Sequence, residues 1–596
     1  MEEPFKPSSL SIKELFGNAD AKYKIPQYQR PYKWEDDQVE VLWDDIFEAY
    51  ENEESNYFLG SVITAKPRDN ENTAYSDVVD GQQRLTTLMI LFCVIRDLYP
   101  TINENDTEDQ TAVKLFTIQH SIAEFGQYDR LKLFTHAQHS SDFNNYILKG
   151  NTLELKKPYK YQIRTDEEPK FKFINTAYIF RKKLEDLGLE ESEKFINYLF
   201  NNVKVIRIDC KNREFAIKLF QVLNDRGMDL TAADLIKSFL LERLYNTHKD
   251  NPDVSKLKEE QFISDWREME QNIKSCDLDL NDLFIIYEYY TLGQNPRKSL
   301  YDELQNAFRD KDPNILIGDI KDFTNTYVTE IYEKDDKVLY SFRYIRWSMY
   351  WKSILMTALH TKYEGYEDLK VELRRFYYLY WIAGKTLSQI KQTSFNIIRW
   401  VKENKSIDEI KIELNKKLEA DGIKHLATRY LTSERVAHEP WIKPLLLLIE
   451  YNVTDDSKLS FVPLSKDLHL EHILPTKYEK FDEWGHISSE FAGKWLNSVG
   501  NLTLLGGKKN IEASNNPFHI KMGIYKGKGK YEDKNDKITA FLITQSIVHN
   551  YQINKYDKLW NEDAMLDRWN WFFLEVGDIL DVDFSETIEE QQPILI

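Results

Sequence analysis

At 596 residues the chain is too long for one hydrophobic core, and two to four domains are expected of it. An apolar fraction of 42% and an aromatic fraction of 13% exclude a disordered chain, while a net charge of −19 counts against a general nucleic-acid coat, because phosphate binding needs clustered cations. Cys93, Cys210 and Cys276 lie far apart with no CxxC pair, which excludes a cysteine zinc finger and argues against a disulfide framework.

The opening "MEEPFKPSSL" has no signal-peptide core, and the longest apolar run, 85–95, is too short for a bilayer. A cytoplasmic protein without membrane partners is expected. "YFLGSVITAK" (57–66) and "YSDVVDG" (75–81) predict two strands, and the turn-formers between them predict a hairpin. "QRLTTLMILFCVIRDLY" (83–99) is apolar on nearly every side and predicts a buried helix. In "NDRGMDLTAADLIKSFLLERL" the chain turns at Gly227, and Thr231 with Asp234 predicts a capping box opening a helix with an apolar stripe. From about 250 to 450 the sequence is mostly amphipathic helix, and "DRWNWFFLEV" predicts a docking helix before a frayed acidic tail.

Two stretches could carry chemistry. In "VVDGQQRLTTL" a strand, Gly81 and a helix start follow one another, which is how α/β folds build phosphate sites. Arg84 offers a bidentate fork for phosphate oxygens, and Asp80 could hold Mg²⁺ or orient a water. There is no GxxxxGK[ST], so this is not a P-loop. The competing reading is a tight turn with Asp80 and Arg84 paired locally.

The second stretch is "DLHLEHILPTK" (467–477) with "WLNSVGNLTLLGGKKNIEASNNPFHIKMGIY" (495–525), which outlines a ββα-metal hairpin. Neutral His472 can take a proton from water, and Glu471 and Asn510 are hard oxygen ligands suited to Mg²⁺ or Mn²⁺. Asn501 is expected to tie the hairpin loop, with Lys521 on the short helix that follows. Adjacent Glu471 and His472 face opposite sides of a regular strand, so they converge only if the strand ends or bulges there; Pro475 favours an ending. His469 shares the Glu471 face, as an outer partner of the site or as a solvated side chain. Residues 501–530 also hold Lys508, Lys509, Lys521, Lys526, Lys528 and Lys530 against only Glu512, a window that either grips DNA locally or is a solvated face.

"IPQYQRPYKW", "YFLGSVI", "DGQQRLTTL" and "LNDRGMDLTAADL" occur in the order found in the ParB/sulfiredoxin-like nucleotidase domain of GmrS-type restriction proteins, a resemblance over roughly 8–245. It implies NTP binding and hydrolysis through Asp80, Gly81, Gln82, Gln83 and Arg84, flanked by Arg30, Asn224 and Arg226. The 410–560 segment resembles the HNH-type nuclease domain of the GmrD half, with His472 at the general-base position, Glu471 and Asn510 at the metal positions, and Asn501 and Lys521 in the same pattern. Glu before the base and Asn in place of the final His depart from many HNH proteins, which leaves the metal open.

The expectation is an α+β, multidomain chain: a ParB-like α/β domain (1–245), a helical connecting domain (246–409), a ββα-metal nuclease (410–560), and a docking helix and tail (561–596). The resemblance implies an NTP- and metal-dependent DNA endonuclease that restricts phage by cutting modified DNA, with the choice among GTP, ATP, UTP and CTP open and a homo-oligomer not excluded. An NTP-gated DNA-binding regulator with a weak or inactive nuclease and an RNA-cleaving toxin are the rivals.

Overall fold

The computed structural model describes residues 4–18, 22–27, 29–67, 75–104, 112–124, 131–135, 139–149, 151–164, 169–223, 231–276, 278–455, 460–526 and 541–591. The chain forms two compact units, Met1–Asp265 and Trp266–Ile596. No helix among the described residues is long and apolar enough to cross a membrane.

The first unit is built on strands β1 (Phe5–Ser11), β2 (Tyr23–Lys24), β3 (Tyr57–Ala65), β4 (Ser76–Asp80), β5 (Leu133–Phe134) and β6 (Val203–Cys210). They form one mixed sheet in the order β1-β6-β3-β4-β2-β5. β3 and β4 pair antiparallel, as a hairpin requires, while β3 runs parallel to β6 with a register shift between Phe58 and Gly60. Gly60 sits in that irregularity at φ +129°, a conformation that a side chain would strain.

The helices of this unit include α1 (Asp36–Glu51), α2 (Gln82–Leu98) and α3 (Lys170–Leu187), and α2 carries its candidate site. α2 buries every residue from Leu85 to Ile95. That is why its sequence shows no polar face, since it is enclosed rather than laid on a surface. Further along, α4 (Ala232–His248) opens on the expected capping box, with Asp234 N donating to Thr231 Oγ1 at 3.2 Å and Thr231 N to Asp234 Oδ2 at 2.9 Å.

The second unit is mostly helix, as the amphipathic text from 250 to 450 predicts. Its helices include α5 (Ser348–His360), α6 (Tyr366–Ile382), α7 (Leu387–Lys402) and α8 (Ile442–Val453). A two-stranded antiparallel ladder follows, β7 (Leu468–His472) with β8 (Leu502–Gly506), in a register that sets Glu471 opposite Thr503 and His472 opposite Leu502. Next come α9 (Gly507–Ala513), α10 (Phe518–Lys526), α11 (Leu542–Gln552) and α12 (Glu562–Leu580). α9 packs on both strands of the ladder, and Thr503 Oγ1 meets Thr544 Oγ1 of α11 at 2.7 Å. The mixed α and β, multidomain architecture expected of the sequence is the one the chain has.

Candidate functional site

In the first unit, the sequence stretches that looked separate are stitched together by the side chains of "DGQQR". Gln83 Oε1 accepts from Lys33 N at 2.8 Å, and its Nε2 donates to the Pro31 carbonyl at 3.1 Å, which fixes "IPQYQRPYKW" over the start of α2. Gln29, itself buried, donates to the Val79 carbonyl at 2.9 Å. Arg84 Nη1 donates to the Ser61 carbonyl at 2.8 Å, tying α2 to β3. A methyl group at Gly60 would lie 2.9 Å from Arg84 Nη1, so a side chain here would push the guanidinium aside as well as strain the backbone at φ +129°.

Gly81 is the N-cap of α2 at φ +87° and brings no side-chain cap of its own. Asp80 Oδ1 accepts from Gly81 N at 2.7 Å, so the tight turn is closed by Asp80 on the backbone. Gln29, Arg30, Trp34 and residues 79–84 line a cleft here whose interior is about 10 Å³, room for about one water. Arg30 also borders a second small hollow with Gln82, Gln83, Tyr32 and His139. Asn224 and Arg226, expected to flank the site, lie outside the described residues.

In the second unit, β7 resolves the alternation problem as a regular strand would. Glu471 and His472 face opposite sides. Glu471 is 5% exposed, and its Oε1 accepts from Lys521 Nζ at 2.7 Å and from the Tyr525 hydroxyl at 2.8 Å, both on α10. Burial holds the Glu471 carboxyl above its ordinary range, against the pull of Lys521, and holds the Lys521 ammonium below its own. Lys521 also donates to the His472 carbonyl at 2.7 Å, so the ammonium pins the end of β7 from beneath.

His472 turns the other way, with Nε2 3.1 Å from Asn497 Oδ1. Burial lowers the imidazole below its ordinary value; the bond to Asn497 opposes that, and nearby Lys521 and His438 reinforce it. The ring is therefore neutral at pH 7. With Nε2–H donating to Asn497, Nδ1 carries the lone pair.

Asn501 is fully buried and closes the loop after β7. Its Oδ1 accepts from Leu474 N at 2.7 Å, and its Nδ2 donates to the carbonyls of Leu474 at 3.0 Å and Leu496 at 2.8 Å. Trp560 Nε1 adds a donor to Oδ1 at 3.0 Å. Arg568 of α12, buried, donates to the Leu502 carbonyl from two nitrogens, and burial lowers its guanidinium to about 10. The helix expected to dock thus holds β8 directly.

The expected metal pair fits only in part. Asn510 is half-buried on α9, whereas Glu471 is closed in by an ammonium and a phenol and presents no open carboxylate. Among the described residues no group of three or more His, Cys, Asp or Glu side chains is placed to hold a metal. His469, on the Glu471 face, lies beside the start of α9, with Nε2 3.6 Å from where a Gly507 Cβ would stand.

The basic window is not one surface. Lys521 is fully buried, Lys509 donates to the Ile524 carbonyl at 3.1 Å and Lys526 is exposed; Lys528, Lys530 and the Lys508 side chain lie outside the described residues.

Sequence reading missed Asn497, Tyr525, Trp560 and Arg568. Tyr525 follows Lys521 by four residues and so shares its helix face, a usable signal. Nothing in the sequence marks Asn497, 25 residues from His472.

Two family models match the chain: GmrSD restriction endonuclease, N-terminal domain, over residues 12–241, and GmrSD restriction endonucleases, C-terminal domain, over residues 403–573. No curated protein matches it.

Proposed function

The chain belongs to the GmrSD restriction endonuclease family, and on that premise we propose that it is an NTP-dependent DNA endonuclease of HNH type, with His472 as general base, that restricts phage by cutting modified DNA. The observation that carries the nuclease assignment is the state of His472: neutral by burial, oriented through Nε2 by Asn497, and fixed at a strand end that Lys521 and Asn501 both brace. In the proposed step, His472 Nδ1 takes a proton from water as the water oxygen bonds to phosphorus. The bond from phosphorus to the leaving oxygen then breaks.

Dependence on Mg²⁺ or Mn²⁺ belongs to the same proposal through Asn510. Glu471 can take part only if Lys521 withdraws from it, so Glu471 and Lys521 are assigned here to positioning the strand.

The nucleotide reading is supported by the turn at Gly81 that opens α2 and by Arg84 beside it. The cleft has room for about one water, so an NTP enters by opening it, with Arg84 exchanging the Ser61 carbonyl for a phosphate. Nicking of modified and unmodified phage DNA, with each NTP in turn and with RNA as a parallel substrate, tests the whole reading. Cleavage of RNA alone, or DNA binding without cleavage, would replace it with one of the rivals.

A further inference from the structure

A short positive stretch of the first unit stands apart from the rest of this acidic chain. Residues 155–164, "LKKPYKYQIR", carry Lys156, Lys157, Lys160 and Arg164 and no carboxylate, between Glu154 and the acidic run 166–168, whereas the whole chain has a net charge of −19. Among the described residues Lys156, Lys160 and Arg164 make no ion pair. Lys157 meets Asp36 at 3.7 Å with both side chains about half open to solvent, a loose pair that contributes little and is readily exchanged for a phosphate.

A pair of rings stands among these cations. Tyr159 and Tyr161 stack with centroids 5.7 Å apart and planes 8° from parallel. At 70% and 72% exposure they are the most open aromatic side chains among the described residues. A surface tyrosine ordinarily lays its ring on the protein, because the ring is apolar and only the hydroxyl needs water. Here each ring has little but the other beside it, and the outer faces are left to solvent. The backbone under them is fixed. Tyr159 N donates to Gln162 Oε1 at 2.9 Å and opens a single helical turn, Lys160–Ile163, which packs on α3 with Ile163 buried.

Open π faces among unpaired cations match a nucleic-acid strand: bases stack on the rings, and backbone phosphates lie on lysine and arginine. A base inside a duplex keeps both faces covered by its neighbours, so these rings are reached only by an unpaired one. We propose that Tyr159 and Tyr161, with Lys156, Lys157, Lys160 and Arg164, form a docking surface for single-stranded DNA that takes an end, a gap or an opened stretch of the substrate. The partner is DNA because the family's substrate is DNA, and the proposal rests on the nuclease reading for that identity alone. The surface stands next to the candidate NTP cleft, since Asp36, which Lys157 meets, follows Trp34 of that cleft by two residues.

The test uses the full chain in chelator, so that binding is read without cleavage. The probes are a labelled single-stranded DNA, an abasic strand of the same length, the matching duplex, an RNA of the same sequence and anionic lipid vesicles. Tyr159→Ala and Tyr161→Ala should each weaken single-strand binding about 5- to 100-fold, the range of one lost stacking contact, while Tyr159→Phe and Tyr161→Phe keep it. On the abasic strand, which has phosphates but nothing to stack, the alanine variants should bind as the parent does. Lys156→Ala, Lys160→Ala and Arg164→Ala together should flatten the salt dependence by about 2, since each phosphate contact contributes about 0.7. All of these side chains are exposed, so the unfolding midpoint of every variant should match the parent's.

Single-strand affinity and salt slope unchanged in these variants would overturn the proposal. So would an equal loss on the abasic strand, or a surface that takes duplex, RNA or vesicles in preference to single-stranded DNA. The nuclease reading is scored separately by His472→Ala, which should suppress cutting and leave this binding intact.

Discussion

Lys521 Nζ lies 2.7 Å from both Glu471 Oε1 and the carbonyl of His472, so one buried ammonium neutralises the residue before the candidate base and fixes the backbone of the base itself. Both side chains of the pair are almost wholly enclosed, at 0% and 6% exposure. Removing either partner strands the other as a buried charge, at a cost of about 3–5 kcal/mol. Lys521→Met and Glu471→Gln should each lower the chemical denaturation midpoint strongly, and the double variant should recover much of the loss. Additive losses would show that the two groups do not act as a pair.

His472→Ala should reduce DNA cleavage by about 10²–10⁴-fold, the usual weight of a general base, with the circular dichroism spectrum unchanged. Any NTP turnover should continue, because its candidate cleft belongs to the other unit. Undiminished cleavage would move the base elsewhere.

The pH profile should carry the signature of His472. Its folded-state pKa is depressed by burial, so the reactive, unprotonated ring is already dominant at neutral pH, and cleavage should fall only on the acid side of the ordinary histidine value. The same depression makes the unfolded chain bind the proton more tightly. The stability from this group is therefore held at neutral pH and lost as pH falls below the unfolded value, through the depressed one. The bond from Asn497 opposes the depression, so Asn497→Ala should shift the acid limb to still lower pH while lowering kcat through lost orientation. A limb that moves upward instead would count against this geometry.

Arg84→Ala should weaken NTP binding by roughly tenfold or more, since a charge-assisted phosphate contact is worth ~1.5–3 kcal/mol. Gly60→Ala offers an independent route to the same result: its methyl would lie 2.9 Å from Arg84 Nη1 at a φ that disfavours alanine. Calorimetry should find both variants impaired. Normal NTP binding by both would leave Arg84 as a tie between α2 and β3.

The strand pair β3–β4, the enclosed helix α2 and the Thr231 capping box were legible because each is written in neighbouring residues: alternation, uniform apolarity, a three-residue spacing. The direction of Glu471 was misjudged: Pro475 favoured a strand ending that would bring it to His472, whereas β7 runs regularly through both residues and sends them apart. What fills that side was not legible, because Lys521 and Tyr525 arrive from a helix some fifty residues on. The lysines of 501–530 looked alike in the sequence; only packing separates buried Lys521 from exposed Lys526. The place of Asn497 against His472 depends on where a loop ends in space, which no local pattern encodes.

Trp560 and Arg568, which hold Asn501 and the Leu502 carbonyl, are made roughly ninety to a hundred residues after His472. During synthesis, therefore, the strand carrying the candidate base emerges long before its supports do. A polypeptide cut short by a nonsense codon, an abandoned ribosome or a protease ahead of Trp560 retains "EHILP" and "GNLTLL" but lacks the braces that seat them. On the proposed reading, damage to the 3′ end of the message yields an inert fragment, and a host cell is spared a loose cutter released from a half-made chain.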